Sequence, residues 1–115
     1  MTELEQLRLK LREFAAERDW DQFHSPKNLA MALSVEASEL VECFQWLTEE
    51  QSRTLSAQQL AAVTDEIADI QLYLIRLADK LDVDIRSAVC EKFKKNEAKY
   101  PADKVRGSAK KYNEY

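Results

Sequence analysis

The residues best placed to do chemistry are two carboxylate pairs, Glu36-Ala-Ser-Glu39 and Glu66-Ile-Ala-Asp69. Each pair has i,i+3 spacing in a stretch with helical periodicity, so both of its carboxylates project from one face of a helix. Two such claws on facing helices can hold divalent cations. All-oxygen ligands select a hard ion, and magnesium is the natural choice where the metal is shared with phosphates. Zinc chemistry is disfavoured because His24 is the only histidine and no cysteine cluster exists. A di-iron bundle needs Glu-x-x-His motifs, which are absent, and there is no Walker loop or GxGxxG turn to cradle phosphates. If phosphates bind, metal ions and lysines must hold them.

The elements that must position these acids are helices. The chain has 115 residues with one glycine and two prolines, so breakers are few. Together with abundant Ala, Leu, Glu, Lys and Gln, this favours long helices over sheets. The length suits a single domain spanning 1–115. Apolar spacing places one helix over about 3–18, through Leu4, Leu7, Leu11 and Phe14. Ser25 followed by Pro26 opens a second over about 26–47. Ser56 with Gln59 forms a capping-box pattern that opens a third over about 56–81. Asp84 caps a fourth over about 84–100, stopped by Pro101 and followed by a basic, polar tail over 101–115. The linker Thr48–Leu55 is polar, with room for one helical turn.

At ~100° per residue, the second helix gathers Leu29, Leu33, Leu40, Cys43, Phe44 and Leu47 into one apolar stripe, and Glu36 falls in its middle. Glu39 lies at the edge, with Trp46 two turns further along that edge. A lone buried carboxylate is costly and escapes by taking up a proton, whereas a cation removes the cost. The third helix is expected to bury Val63, Ile67, Ile70, Leu74, Leu77 and Leu81, with Glu66, Asp69 and Tyr73 along one border. A solvated acidic edge is the plain alternative for that border, but Asp65 and Asp69 would then be a like-charge i,i+4 pair without a counterion. On the fourth helix Ile85, Val89, Phe93 and Tyr100 form the stripe, Asn96 lies within it, and Lys92 and Lys99 flank it. Lysines beside an amide suit polyphosphate oxygens. Lys94 and Lys95 read as a solvated face favoured by the helix dipole.

The formal charge of −4 argues against non-specific nucleic-acid binding. Cys43 and Cys90 are read as small, reduced core residues. No apolar run approaches the ~18 residues of a membrane span, and no targeting segment is recognised, so a cytoplasmic protein without membrane partners is expected.

The ExxE, 26-residue spacer and ExxD together resemble the MazG-like all-α nucleoside triphosphate pyrophosphohydrolases. The dCTP pyrophosphatase branch is the nearer one. That likeness is carried by Phe14-Ala-Ala-Glu-Arg-Asp-Trp-Asp-Gln-Phe-His24, Pro26-Lys-Asn-Leu29, Phe44-Gln-Trp46, Lys99-Tyr-Pro101 and Arg106-Gly-Ser-Ala-Lys-Lys-Tyr112. Lys27 stands where the family often has arginine, and the linker after Trp46 is short. The resemblance implies a four-helix all-α bundle assembled by helix packing between subunits into dimers and tetramers. It implies that Glu36, Glu39, Glu66 and Asp69 bind Mg2+, and that Trp20, His24 and Trp46 form a base pocket. Asn28 falls in the matching stretch that follows His24, and is grouped with the substrate contacts. Tyr73 matches a position near the sugar, and Lys92, Asn96 and Tyr100 match phosphate- or substrate-contacting positions.

The reaction so implied is magnesium-dependent hydrolysis between the α- and β-phosphates of dCTP or a modified dCTP, giving the monophosphate and pyrophosphate. Lys92 then stabilises the leaving group, while Glu36 or Glu39 orients the water. Two other readings stay open on sequence: a house-cleaning pyrophosphatase of broad specificity, and a helical scaffold that binds nucleotide without cleaving it.

Overall fold

The computed structural model describes residues 1–109, and its elements are helical throughout that range. Six α-helices occur: α1 (Glu3–Glu17), α2 (Pro26–Glu42), α3 (Glu49–Arg53), α4 (Ala57–Lys80), α5 (Ile85–Lys99) and α6 (Ala102–Val105), with a 3-10 turn at Asp21–Phe23. The chain divides into two compact units, Met1–Asp82 and Val83–Tyr115. The four long helices expected from the sequence are present. The second is shorter than expected, because after Glu42 the backbone tightens through successive i→i+3 bonds, Phe44 N–H to the Val41 carbonyl and Leu47 N–H to the Phe44 carbonyl. Thr48 and Gln51 then form a full capping box that starts the short α3. The expected non-periodic tail includes α6, and the part of it beyond residue 109 lies outside the described residues.

The caps were legible. Ser25 Oγ accepts from the Asn28 N–H at 3.1 Å with Pro26 at the first helical position. Ser56 and Gln59 make the reciprocal pair that opens α4, and Asp84 accepts from the Ser87 N–H at 3.0 Å. Less legible was the end of α1. It closes in a Schellman turn, with Trp20 N–H donating to the Ala15 carbonyl at 2.9 Å and Asp19 N–H to the Ala16 carbonyl at 3.1 Å. Asp19 occupies the left-handed position at φ 54°, where an aspartate stands in for the usual glycine. The turn reverses the chain sharply and brings the Trp20 ring edge-on to Phe14, with 5.8 Å between centroids.

In the first unit α4 packs against both α2 and α1. The buried apolar residues are Ala15, Leu29, Val63, Ile75 and Ala78. This differs from the stripe expected for α4, since Ile67, Leu74 and Leu81 are exposed while Ile75, Arg76 and Ala78 are buried. A second helical row, Leu72, Ile75, Arg76 and Asp79 at i, i+3, i+4, i+7, shares α4 with the expected one. Val63 of the expected stripe is buried and Ile70 and Leu77 are half-buried, but apolar count alone overlooks the second row because it treats Arg76 and Asp79 as surface residues. Among the described residues, Ile67 and Leu74 thus leave part of the α4 apolar surface exposed. Val89 and Phe93 of the α5 stripe are likewise exposed, whereas Ile85 and Tyr100 are half-buried. Cys43 is half-buried, but Cys90 is exposed rather than in a core. No helix among the described residues is long and apolar enough to cross a membrane.

Candidate active site

α2 and α4 carry one claw each, and their packing brings three of the four acids together. Carboxylate oxygens of Glu36, Glu39 and Glu66 lie within 4.8 Å of one another. Neither of the two oxygens that sit deepest, Glu36 Oε2 and Glu66 Oε2, has a hydrogen-bond partner among the described residues. Buried acceptors are almost always satisfied, so two orphaned carboxylate oxygens at one spot need a further ligand. The neighbouring Glu66 carboxylate, burial and Glu39 together push Glu36 up to about 7. Glu66 is raised as well, burial being the largest cause. Three acids this close cannot all ionise in comfort without a counter-charge. Hard oxygen donors around a shared point fit a divalent cation such as Mg2+.

Asp69, one turn along α4 from Glu66, is not in this triad. It lines an adjoining groove of about 200 Å³, together with Phe14, Trp20, His24, Leu29, Tyr73 and Arg76. Its charge nevertheless reaches the triad, contributing to the upward shift of both Glu36 and Glu66. Asp69 thus joins the acidic cluster to an aromatic-walled recess of a size that suits a small planar ring.

Of the residues singled out for a base pocket, Trp20, His24 and Tyr73 line this groove, whereas Trp46 does not and is 87% exposed. Asn28 uses its side-chain amide locally, donating to the Phe23 carbonyl at 3.0 Å and so tying the 3-10 turn to the start of α2. Lys92 and Asn96 are exposed on α5, and Tyr100 is its half-buried C-cap.

Sequence reasoning missed the charge network at the other end of α4. Arg76, 5% exposed, donates from Nε to His24 Nδ1 at 3.2 Å, from Nη2 to Asp21 at 2.6 Å and from Nη1 to Asp79 at 3.3 Å. Arg8 and Arg12 of α1 converge on the same buried Asp79 carboxylate, at 2.9 and 2.6 Å, and Lys80 pairs with Asp21. Burial works to raise the Asp79 pKa, but hydrogen bonds from Arg12 and Arg8 outweigh it and the carboxyl sits below its ordinary range. The available signal was the recurrence of Arg76 and Asp79 within the row that starts at Leu72, together with Arg8 and Arg12 spaced i,i+4 on α1.

The family model that describes the MazG-like family matches residues 31–115. The chain belongs to the MazG-like family. It is 44% identical to human dCTP pyrophosphatase 1 over 113 residues, a span that is 96% of this chain and 66% of the human protein. The bovine dCTP pyrophosphatase 1 is 45% identical over 96% of this chain and 67% of its own length. The chain therefore spans about two thirds of the length of the curated relatives it matches. Among solved structures, a pyrophosphatase from Archaeoglobus fulgidus DSM 4304 superposes with a TM-score of 0.83 at 39% identity, covering 88% of this chain and 94% of the other. The MazG-like match takes in α4 and most of α2, hence both claws, but begins after the Trp20–His24 connector.

Proposed function

We propose that this chain works as a single MazG-like pyrophosphohydrolase domain that cleaves dCTP, or a 5-modified dCTP, between its α- and β-phosphates, releasing the monophosphate and pyrophosphate. The observation that carries the reading is the triad of Glu36, Glu39 and Glu66, with two orphaned oxygens, beside a groove walled by Trp20 and Tyr73. The likeness to the dCTP pyrophosphatases supplies the substrate class.

In this proposal Glu36, Glu39, Glu66 and Asp69 hold Mg2+. Bound magnesium supplies positive charge against the triphosphate and makes water more acidic. Glu36 or Glu39 orients the attacking water toward the α-phosphorus. The P–O bond to the β-phosphate breaks as the new bond forms, and Lys92 offsets the charge of the leaving pyrophosphate. Trp20, His24 and Tyr73 seat the base and sugar, and Asn28 holds the turn that carries His24. Asn96 and Tyr100 are assigned to the substrate with Lys92, on the resemblance of the last helix.

Self-association into a dimer or tetramer completes the proposal. It accounts for the exposure of Trp46 and of Ile67 and Leu74, because large apolar side chains left in solvent mark an interaction surface. The enzyme would act on cytoplasmic nucleotide pools, with no nucleic-acid or membrane partner.

The test is pyrophosphate release across a panel of nucleoside triphosphates, with and without magnesium. Preferred turnover of dCTP and 5-modified dCTP, dependent on the ion, is expected. Equal turnover of purine and pyrimidine nucleotides would shift the assignment to broad house-cleaning. Thermal stabilisation by nucleotide with calcium, and no turnover in magnesium, would replace the enzyme with a nucleotide-binding scaffold.

A further inference from the structure

Arg76 lines the groove and is buried, charged and anchored at three points. Its guanidinium has only donors and stays protonated at any relevant pH. The atom it meets on His24 is Nδ1, at 3.2 Å. A donor facing Nδ1 requires that nitrogen to be the unprotonated acceptor, which leaves the proton of the neutral ring on Nε2. Asp21 and Asp79 on the other two guanidinium arms prevent Arg76 from swinging away. Asp79 is itself held by Arg8 and Arg12, so the chain of contacts runs from α1 through α4 to the imidazole.

We infer that Arg76 is a positioning residue for the nucleobase end of the groove, locking His24 into the neutral Nε2–H form so that it offers ligands a donor. His24 lines the groove with Trp20, Tyr73 and Asp69. With Nδ1 occupied, Nε2 is the nitrogen left to serve a ligand there, and as an N–H it pairs with an acceptor such as a pyrimidine carbonyl oxygen. A ring that presents a carbonyl to His24 satisfies that donor, which rests on the pyrimidine reading of the site given above. Charge around the imidazole reinforces the neutral form. Burial, then the cations of Arg76 and Lys80, holds His24 below its ordinary range, against a smaller opposing effect of Asp21.

Because His24 is the only histidine, its ring nitrogens are directly readable by long-range 1H–15N correlation in the full-length, ligand-free protein at neutral pH. The expected result is an Nε2–H tautomer favoured by more than about tenfold, the ratio that one intact hydrogen bond supports. Arg76→Gln should lower that ratio toward the milder Nε2–H preference of a free neutral imidazole and raise KM for the preferred pyrimidine nucleotide by about tenfold, more than it lowers kcat. His24→Gln, whose amide nitrogen can take the place of Nε2–H, should retain more base selectivity than His24→Asn. Should Arg76→Gln fold poorly, Asp21→Asn frees one arm of the fork without removing the arginine, and a smaller shift of the same sign is expected. An Nδ1–H or protonated His24 in the wild-type protein would overturn the inference. So would a tautomer ratio unmoved in the variants. The tautomer is read without substrate, so a failed nucleotide panel with an intact Nε2–H form would count against the pyrophosphatase reading and not against the role of Arg76.

Discussion

The 24 residues of α4 carry two buried carboxylate sites that solve the same problem in opposite ways. Near its start Glu66 meets Glu36 and Glu39, acid against acid, with oxygens of Glu36 and Glu66 that have no partner among the described residues. Near its end Asp79 has a side chain only 5% exposed but receives three arginines. Glu36 and Glu66 are pushed toward protonation, and Asp79 is held ionised. A folded chain that gives Asp79 three arginines and leaves oxygens of Glu36 and Glu66 without a partner among the described residues has the means to satisfy acids and withholds it at the first cluster. Satisfied charge builds structure; unsatisfied charge waits for a ligand. The two ends also communicate, since Arg76 of the paired cluster grips His24 of the groove that Asp69 borders.

The comparison is easiest to break at Glu36. Glu36→Gln keeps the side-chain volume but removes a charge from the unpaired cluster. Turnover in magnesium should fall at least about a hundredfold, more than changes to residues that only support a metal ligand. The metal-free protein should meanwhile melt at a higher temperature, because repulsion is relieved, and lose the stabilisation that magnesium gives the wild type. Steady-state kinetics and thermal melts with and without the ion read both effects. A variant with wild-type magnesium dependence would remove the triad from the mechanism.

Asp79→Ala tests the other end. It strands three arginines around a buried gap, and a loss of about 3 kcal/mol in urea unfolding is expected. The magnesium-induced shift in melting temperature should survive, provided the variant is folded at the start of the titration. If Asp79→Ala instead abolished magnesium binding and left stability intact, the division of labour along α4 would be reversed.

The pH dependence of stability separates the clusters in one protein. Glu36 has a folded pKa above its unfolded value, so between about 4.5 and about 7 the folded state binds more protons and metal-free stability should fall as pH rises. Magnesium should flatten that decline by supplying the missing charge. Asp79 has a depressed folded pKa, so its contribution is present above 3.8 and is lost as pH falls through the folded value. Denaturant unfolding across pH 2–8 reads both slopes. His24, held below its ordinary range, works in the opposite direction, so the decisive profile is that of His24→Gln: a metal-free rise from pH 5 to 7 there would contradict the first assignment. The smallest effect belongs to the rim of the paired cluster. Asp21 is largely exposed, and Lys80→Gln should leave unfolding nearly unchanged by the same measurement.

Helix caps and the first apolar residues of each helix were readable because they depend on neighbours within one turn. Ser25-Pro26, Ser56 with Gln59, and Asp84 behave in the fold as their spacing implies. Glu36 was readable for a different reason: an acid inside an apolar row is a local contradiction that only a partner resolves. Its partner Glu66 could be nominated by spacing, but the distance between them is a property of helix packing. The Schellman turn at Asp19 went unseen because no glycine marks it, and aspartate tolerates the left-handed position. Ile67, Leu74 and Leu81 were placed in the core because hydrophobic spacing identifies a face that avoids water without saying what covers it.

What the sequence determined by itself was therefore local: where helices start and stop, which residues share a face, and that Glu36 stands where water and protein both disfavour it. Likeness of motif extended this to a family. Only tertiary structure decided which acids meet. It separated Asp69 from the triad and placed it in the groove wall, left Trp46 in solvent, and buried Arg76 against His24, Asp21 and Asp79. The physical reason is range. Caps and periodicity act over one to four residues, whereas Arg76 and His24 are 52 positions apart in the chain and are joined only when α4 packs beneath the connector.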